Sequence, residues 1–158
     1  MRLLIALGEG GHTKEMLALV DALGSDLEYA YLLVSDDEVS ESKIRRRGPV
    51  FRVRRPRDKK HNLLLDAFKT LQSGLQSLRA LRAYRPQAVL STGPSVAVPV
   101  CLLARLLRVK VIFVETGSRV TALSFTGRVL YRVADLFFVQ WPELAERLPR
   151  AIYAGRLF

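Results

Sequence analysis

The chain has 158 residues, of which 49% are hydrophobic, so it can bury one full core and is too apolar to be disordered. Its one cysteine, Cys101, excludes a disulfide framework and fits a reducing compartment, and two histidines beside one cysteine are too few for a metal site. The net charge of +10 is unevenly spread: nine of the 15 acids lie in the first 41 positions, while Lys43 to Lys60 hold ten basic residues against Asp58 alone, a field that attracts nucleic acid or an anionic membrane.

In chain order, residues 2–7 read as a buried strand and 11–23 as a helix ended by Gly24-Ser25. A second strand covers 29–34 and closes at Ser35-Asp36-Asp37. A polar helix follows over 38–47, stopped by Gly48-Pro49, and a short strand over 50–53. After a basic loop at 55–61, apolar residues at helical spacing run from Leu64 through Phe68, Leu71 and Leu75 to Leu81. They predict an amphipathic helix over 62–85 with Asn62 as N-cap and Pro86 as stop. Such a stripe either packs on the sheet or lies on a membrane surface. Strands at 88–90, 111–114, 136–139 and 152–154 alternate with helices at 96–107 and 121–133. The strands are continuously apolar, as in a parallel sheet covered on both faces. One doubly wound, Rossmann-like α/β domain over 1–158 is expected. Cys101, inside an apolar helix, reads as packing. No secretory signal is visible, and the longest apolar stretch, 96–114, carries Arg105, Arg108 and Lys110, so no bilayer span is expected.

In doubly wound sheets ligands sit beyond the carboxyl ends of the strands. Three segments fall there: 8–13, 91–95 and 115–119. Gly8-Glu9-Gly10-Gly11-His12-Thr13 joins a strand to a helix N-terminus, where backbone N–H groups and the helix dipole favour an anion. Thr13 stands where a dinucleotide fingerprint has its third glycine, although Asp36 or Asp37 keeps a nicotinamide-binding Rossmann reading open. His12 is a base, a phosphate donor, or only an ordering cap. Ser91-Thr92-Gly93-Pro94 is a second turn of the same kind, an anion grip or an ordinary capped turn. Glu115 ends an apolar strand, where a carboxylate either takes a raised pKa and binds sugar hydroxyls or pairs with Arg119. The basic segment lacks interleaved aromatics and matches no nucleic-acid module, so nucleic acid is not the expected partner. Arg45, Arg46, Arg47, Arg52, Arg54, Arg55, Arg57, Lys59 and Lys60 are read instead as a surface for an anionic membrane, beside the amphipathic helix.

The ordered motifs then resemble a known family. They are Gly8 to Met16, Ser91 to Pro99, Glu115 to Arg119, Ser124 to Gly127, Ala134 to Glu143 and Tyr153 to Arg156. Together they look like the Alg fourteen family, and Ala134 to Glu143 is the most specific part. The resemblance implies the N-terminal half of a MurG-like GT-B glycosyltransferase, without a donor domain. That family supplies the acceptor-side, membrane-associated subunit of a split UDP-N-acetylglucosamine transferase, whose Alg thirteen-type partner binds the UDP-sugar. The implied acceptor is a lipid-linked pyrophosphoryl sugar on the cytoplasmic side of a membrane. On this reading Gly8, Gly10, Gly11, Thr13, Ser91, Thr92 and Gly93 hold the acceptor's phosphates. His12 is the base or orienting group, Glu115 binds the sugar or shares the base role, and Leu157 and Phe158 dock the partner. No cofactor is held tightly and no metal is required. Glu9 and Ser95 depart from the small residues usual in the two loops, and no N-terminal membrane span is present, so peripheral attachment is expected. A non-catalytic membrane recruiter remains the rival within this class.

Overall fold

A computed structural model describes residues 1–8, 10–55 and 63–157, for 63–67 the backbone alone. The expectations for Glu9, Arg57, Lys59, Lys60, the Asn62 cap and Phe158 lie outside the described residues. Seven strands form one parallel sheet: β1 (Arg2–Ala6), β2 (Glu28–Val34), β3 (Val50–Val53), β4 (Ala88–Ser91), β5 (Lys110–Val114), β6 (Leu136–Val139) and β7 (Ala151–Tyr153). Their order is β3-β2-β1-β4-β5-β6-β7. The chain winds outward from β1 to β3, then returns to the other side of β1 and winds out again. The carboxyl ends of β1 and β4 therefore flank the switch point, where connections leave in opposite directions and open a crevice.

The continuous apolar runs follow from this placement. Alternate residues of β1 enter two different cores: Leu4 and Ala6 one, Leu3 and Ile5 the other. The first core lies under α3 (Leu63–Tyr84), α4 (Ala97–Leu106), α5 (Phe125–Leu130) and α6 (Pro142–Arg147). The second lies under α1 (Gly11–Leu23), with Ile44 and Leu157 packed at its margin. Cys101 is fully buried in the first core, and burial pushes its thiol up to about 12, as packing requires.

Four expectations are corrected. The helix expected over 38–47 is only α2 (Glu38–Ser42); Ile44 then packs against the second core. The helix expected over 121–133 is cut to α5: it starts only at Phe125, because Ser124 caps it by accepting from the Gly127 N–H at 2.9 Å, and it ends at Leu130. The helix α6 went unpredicted: six residues starting at Pro142 are too few to show periodicity. Finally, the sheet is not covered on both faces throughout. On the α1 side, a groove of about 360 Å³ opens over β4, β5 and β6, lined by Leu90, Ile112, Val114, Leu136 and Phe138, with Gly155 to Leu157 along its edge.

Candidate functional site

The two glycine loops meet at the switch point. Gly8 cannot carry a side chain, because a Cβ there would fall inside the contact distance of Pro94 Cβ. The carbonyl of Gly8 accepts from Thr13 Oγ1 and from Ser40 Oγ at 3.1 Å, and the two hydroxyls lie 3.0 Å apart. Ser91 Oγ donates to Ala6 O at 3.3 Å, and Thr92 Oγ1 to His12 O at 3.0 Å. Gly93 has φ +97°, a conformation L side chains rarely adopt. The hydroxyls of Thr13, Ser91 and Thr92 were expected to grip phosphate. They are buried and spent on the chain itself: Thr13 closes its own loop and meets Ser40, while Ser91 and Thr92 tie the second loop to β1 and the start of α1. Short hydroxyl side chains serve this because each can satisfy a buried carbonyl at close range.

What these loops enclose is a cavity of about 210 Å³ lined by Gly8, His12, Val34, Arg55, Gly93, Pro94 and Ser95. Two helices begin at its rim. Neither α1 nor α4 has a side-chain cap or an acid in its first turn, so no side chain of its own competes for its first N–H groups. Gly10, at φ +68°, turns the chain into α1, and around Gly10 and Gly11 there is open space within 4 Å of a built Cβ. His12 Nδ1 is buried without a hydrogen-bond partner among the described residues. No carboxylate lies among the described lining residues. The two helix N-termini and Arg55 favour an anion here. Arg55, read from the sequence as membrane-facing, bonds Asp36 at 3.1 Å, and Asp37 caps α2 by accepting from the Ser40 N–H at 3.0 Å. Asp36 is thus paired with a residue of this cavity, and Asp37 is buried at the start of α2.

Glu115 does not face this cavity. It is 0% exposed, and its carboxylate accepts from the Thr116 N–H at 3.1 Å, the Ser124 N–H at 3.0 Å and Ser124 Oγ at 3.1 Å. A Cβ on Gly127 would collide with the same carboxylate, which explains the pairing of Ser124 with Gly127 in the sequence. Burial raises its pKa, against hydrogen bonds from Ser124 and Thr116 and the charge of Arg119. Rather than touching a sugar, Glu115 fastens α5 to the 115–119 loop.

Sequence reasoning missed three residues of that fastening, although all three stand inside the quoted motifs. Glu15 accepts from the Gly117 N–H at 2.9 Å and Thr116 Oγ1 at 3.1 Å, joining α1 to the loop. Gln140 donates to Glu115 O at 3.1 Å and accepts from the Leu157 N–H at 3.0 Å. Trp141 donates from its indole to Gly117 O at 2.7 Å, and the Arg156 guanidinium lies 4.2 Å above its ring. The motif from Ala134 to Glu143 is therefore a clamp on the third loop, and Leu157 is seated in the chain's own groove.

The described part of the basic segment, Lys43 to Arg55, is not one surface. Arg45 pairs with Asp21 at 3.5 Å and Arg46 donates to Asp21 O at 3.4 Å, before β3; Arg54 and Arg55 come after it. A four-residue strand separates them by about 13 Å. Arg52 is spent on Glu41, and Arg47 is exposed on the β3 approach with Arg45. The helix α3 turns Ser73, Ser77, Ala80 and Leu81 inward, while Phe68, Leu71 and Leu75 are 63%, 64% and 53% exposed. Arg54 lies alongside that helix, bonding Gln76 at 2.7 Å and Gln72 at 3.2 Å. Among the described residues no helix is long and apolar enough to cross a membrane, and no metal-ligand cluster is found.

Comparison with known proteins places these features. The family model described as "Oligosaccharide biosynthesis protein Alg14 like" matches residues 3–157. The "UDP-N-acetylglucosamine transferase subunit ALG14" of Rattus norvegicus is 35% identical over 177 residues, covering 98% of this chain and 82% of the rat protein. The subunit of the same name from Schizosaccharomyces pombe is 36% identical over 171 residues, covering 97% and 81%. Among solved structures, Acinetobacter baumannii MurG superposes with TM-score 0.73 at 23% identity, over 90% of this chain and 42% of MurG. A UDP-N-acetylglucosamine 2-epimerase superposes with TM-score 0.77 at 13% identity, over 99% and 48%. The chain spans less than half of either structure, and the likeness is one of fold: the GT-B type of α/β sheet.

Proposed function

This chain belongs to the Alg14-like family of oligosaccharide biosynthesis proteins, and on that premise we propose that it is the acceptor-binding subunit of a two-chain glycosyltransferase. The reaction moves a sugar, N-acetylglucosamine by analogy with the relatives' names, from a UDP-sugar to a lipid-linked pyrophosphoryl sugar. The observation that carries this is His12, lining an anion-favouring cavity between the glycine loops at the switch point. With Nδ1 buried, Nε2 is the ring nitrogen left to address a ligand. His12 takes the proton from the acceptor hydroxyl, whose oxygen attacks the anomeric carbon of the donor sugar. The new glycosidic bond forms as the bond to UDP breaks, and its electron pair leaves on the diphosphate. Gly8, Gly10, Gly11 and Gly93 let backbone approach the acceptor's phosphates, while Thr13 braces the first loop and Ser91 and Thr92 hold the second loop against it.

The donor is supplied by an Alg thirteen-type partner subunit. The apolar groove beside Gly155 to Leu157 supports a docking face on the α1 side of the sheet. The exposed stripe of α3, with Arg54 beside it, supports peripheral attachment to an anionic membrane on its cytoplasmic face.

The test is activity of the assembled pair. His12→Ala is expected to lower kcat by roughly 10²- to 10⁴-fold, and His12→Gln, which orients without accepting a proton, to stay similarly low. Full activity of His12→Ala would leave the chain a recruiter without catalytic part.

A further inference from the structure

We propose that Glu15 is a positioning residue for His12: it ties the start of α1 to the loop after β5, and so fixes where the imidazole stands in the crevice. The inference rests on the acceptor-side reading above. The turn that carries His12 has little stiffness of its own. Gly10 gives α1 no side-chain cap, and the first helical bond, Lys14 N–H to Gly10 O, is long at 3.4 Å. Gly10 and Gly11 begin the turn, and glycine loses more conformational freedom on ordering than any other residue. Further along, Met16 and Val20 are buried in the second core and anchor the helix. Ahead of them, side chains have to hold the turn in place.

Glu15 reaches from α1, which follows β1, to the loop after β5, past β4 between them. Its Oε1 accepts from the Gly117 N–H at 2.9 Å and from Thr116 Oγ1 at 3.1 Å. The residue is 8% exposed, so water competes little for these bonds. The far end of the tether is itself fixed: Trp141 donates to Gly117 O at 2.7 Å, and Gln140 to Glu115 O at 3.1 Å. A Cβ on Gly117 would stand 3.3 Å from both Glu15 Oε1 and Gln140 Oε1, so glycine there leaves the carboxylate its approach. At the near end, His12 precedes Glu15 by three residues, about 4.5 Å along the axis and on a neighbouring face of the helix. Thr92 Oγ1 donates to His12 O at 3.0 Å and holds the same turn from the β4 loop. Glu15 adds a second attachment, from the β5 loop. Two attachments from adjacent strands fix a direction that one alone leaves free to swing. The direction matters, because displacing a catalytic group by about 1 Å costs on the order of 10²-fold in rate.

The experiment uses the assembled two-subunit enzyme with UDP-N-acetylglucosamine and a water-soluble, short-chain lipid-diphosphate sugar as acceptor. Glu15→Ala is expected to lower kcat by about 10- to 100-fold, with the KM for UDP-sugar within about twofold of wild type. Amide hydrogen exchange at Gly11 to Lys14 is expected to quicken by about tenfold or more in the same variant. Glu15→Gln keeps an oxygen for Gly117 and Thr116. Among the described residues Oε2 has no partner, so an amide at that corner breaks no bond, and kcat and exchange stay within about threefold of wild type. Thr116→Val removes one of the two bonds and gives the reading should Glu15→Ala fail to fold, with kcat lower by about 3- to 10-fold. In a His12→Ala background neither Glu15→Ala nor Thr116→Val lowers kcat further, a non-additivity that a general structural defect would not produce. A Glu15→Gln enzyme as slow as Glu15→Ala overturns the inference, since charge and not attachment would then matter. Losses that add in the His12→Ala background, or unchanged exchange at Gly11 to Lys14 in Glu15→Ala, also overturn it and leave the acceptor-side reading standing. Full activity of His12→Ala overturns that reading and this inference with it.

Discussion

At Gly8 the sequence argument asks for a glycine so that an anion can approach the backbone. The structure adds a second demand, because Pro94 of the other loop occupies the space a Cβ would need. Gly8→Ala must therefore push the two loops apart. An expected cost of about 1–3 kcal/mol, typical of overpacking, should appear as a lowered Tm, and activity should fall further than stability accounts for, because the cavity changes shape. Glu115 makes a different test. Burial raises its pKa above the 4.5 of an exposed glutamate, and the hydrogen bonds from Ser124 and Thr116 and the charge of Arg119 only partly offset this. The folded state then holds the proton more tightly than the unfolded one. Its contribution is most favourable below the unfolded value and is lost as pH rises through the folded value. Glu115→Gln carries no such titration, but sets an amide N–H₂ against the donors of Thr116 and Ser124, at about 1–3 kcal/mol. Thermal unfolding followed upward from pH 4.5 should show wild type losing its margin over Glu115→Gln across that window.

The helix α3 shows how far an element can be read from its period. The apolar spacing of Phe68, Leu71 and Leu75 correctly marks one helical stripe, but periodicity cannot say which face meets the sheet. Here small residues, Ser73, Ser77 and Ala80, with Leu81, turn inward, and the large ones turn to solvent. Small side chains let the α3 backbone approach the first core closely, which leaves the stripe exposed to solvent. Replacing Phe68, Leu71 and Leu75 together by Ser should leave Tm nearly unchanged, since little buried area is lost. Binding to anionic vesicles should fall by about tenfold or more, as expected for removing side chains each worth roughly 1.5–3 kcal/mol when fully buried; vesicle co-sedimentation at fixed salt measures it. An unchanged vesicle affinity would place membrane contact elsewhere. The shorter elements were harder to read. Six residues of α6 hold no full hydrophobic repeat, and the start of α5 depends on a side-chain cap at Ser124 that a pattern of apolar residues does not record.

Over the whole molecule, the topology distributes the charge and the binding surfaces. Strand β3 at the sheet edge divides the described basic residues, Lys43 to Arg55, between opposite ends of the sheet, so that part of a run that looks like one positive field in sequence becomes two. The switch between β1 and β4 brings Gly8 and Gly93 together across some 85 residues of chain, with Ser91 Oγ bonded to Ala6 O across |i−j| = 85. Four helices cover one face, while α1 covers only part of the other, and the bare part forms the apolar groove. The anion cavity at the carboxyl edge, the α3 stripe and this groove are three separate surfaces on one domain.

The amino-acid sequence by itself determined the α/β class, the parallel sheet, the placing of the glycine loops at its carboxyl edge and, through ordered motifs, the family. These are written in local pattern: apolar runs of strand length, helical spacing, and glycine where the chain must turn. Tertiary structure alone decided which candidates reach the cavity. Thr13 bonds a carbonyl of its own loop, Ser91 and Thr92 bond carbonyls of neighbouring segments, Glu115 is sealed under α5, and Arg55 enters from a strand two places from β1 in the sheet. The physical reason is common to all of them. A hydroxyl, a carboxylate or a guanidinium has the same chemistry wherever it stands in sequence, and whether it serves the fold or a ligand depends on which segment the sheet order brings beside it.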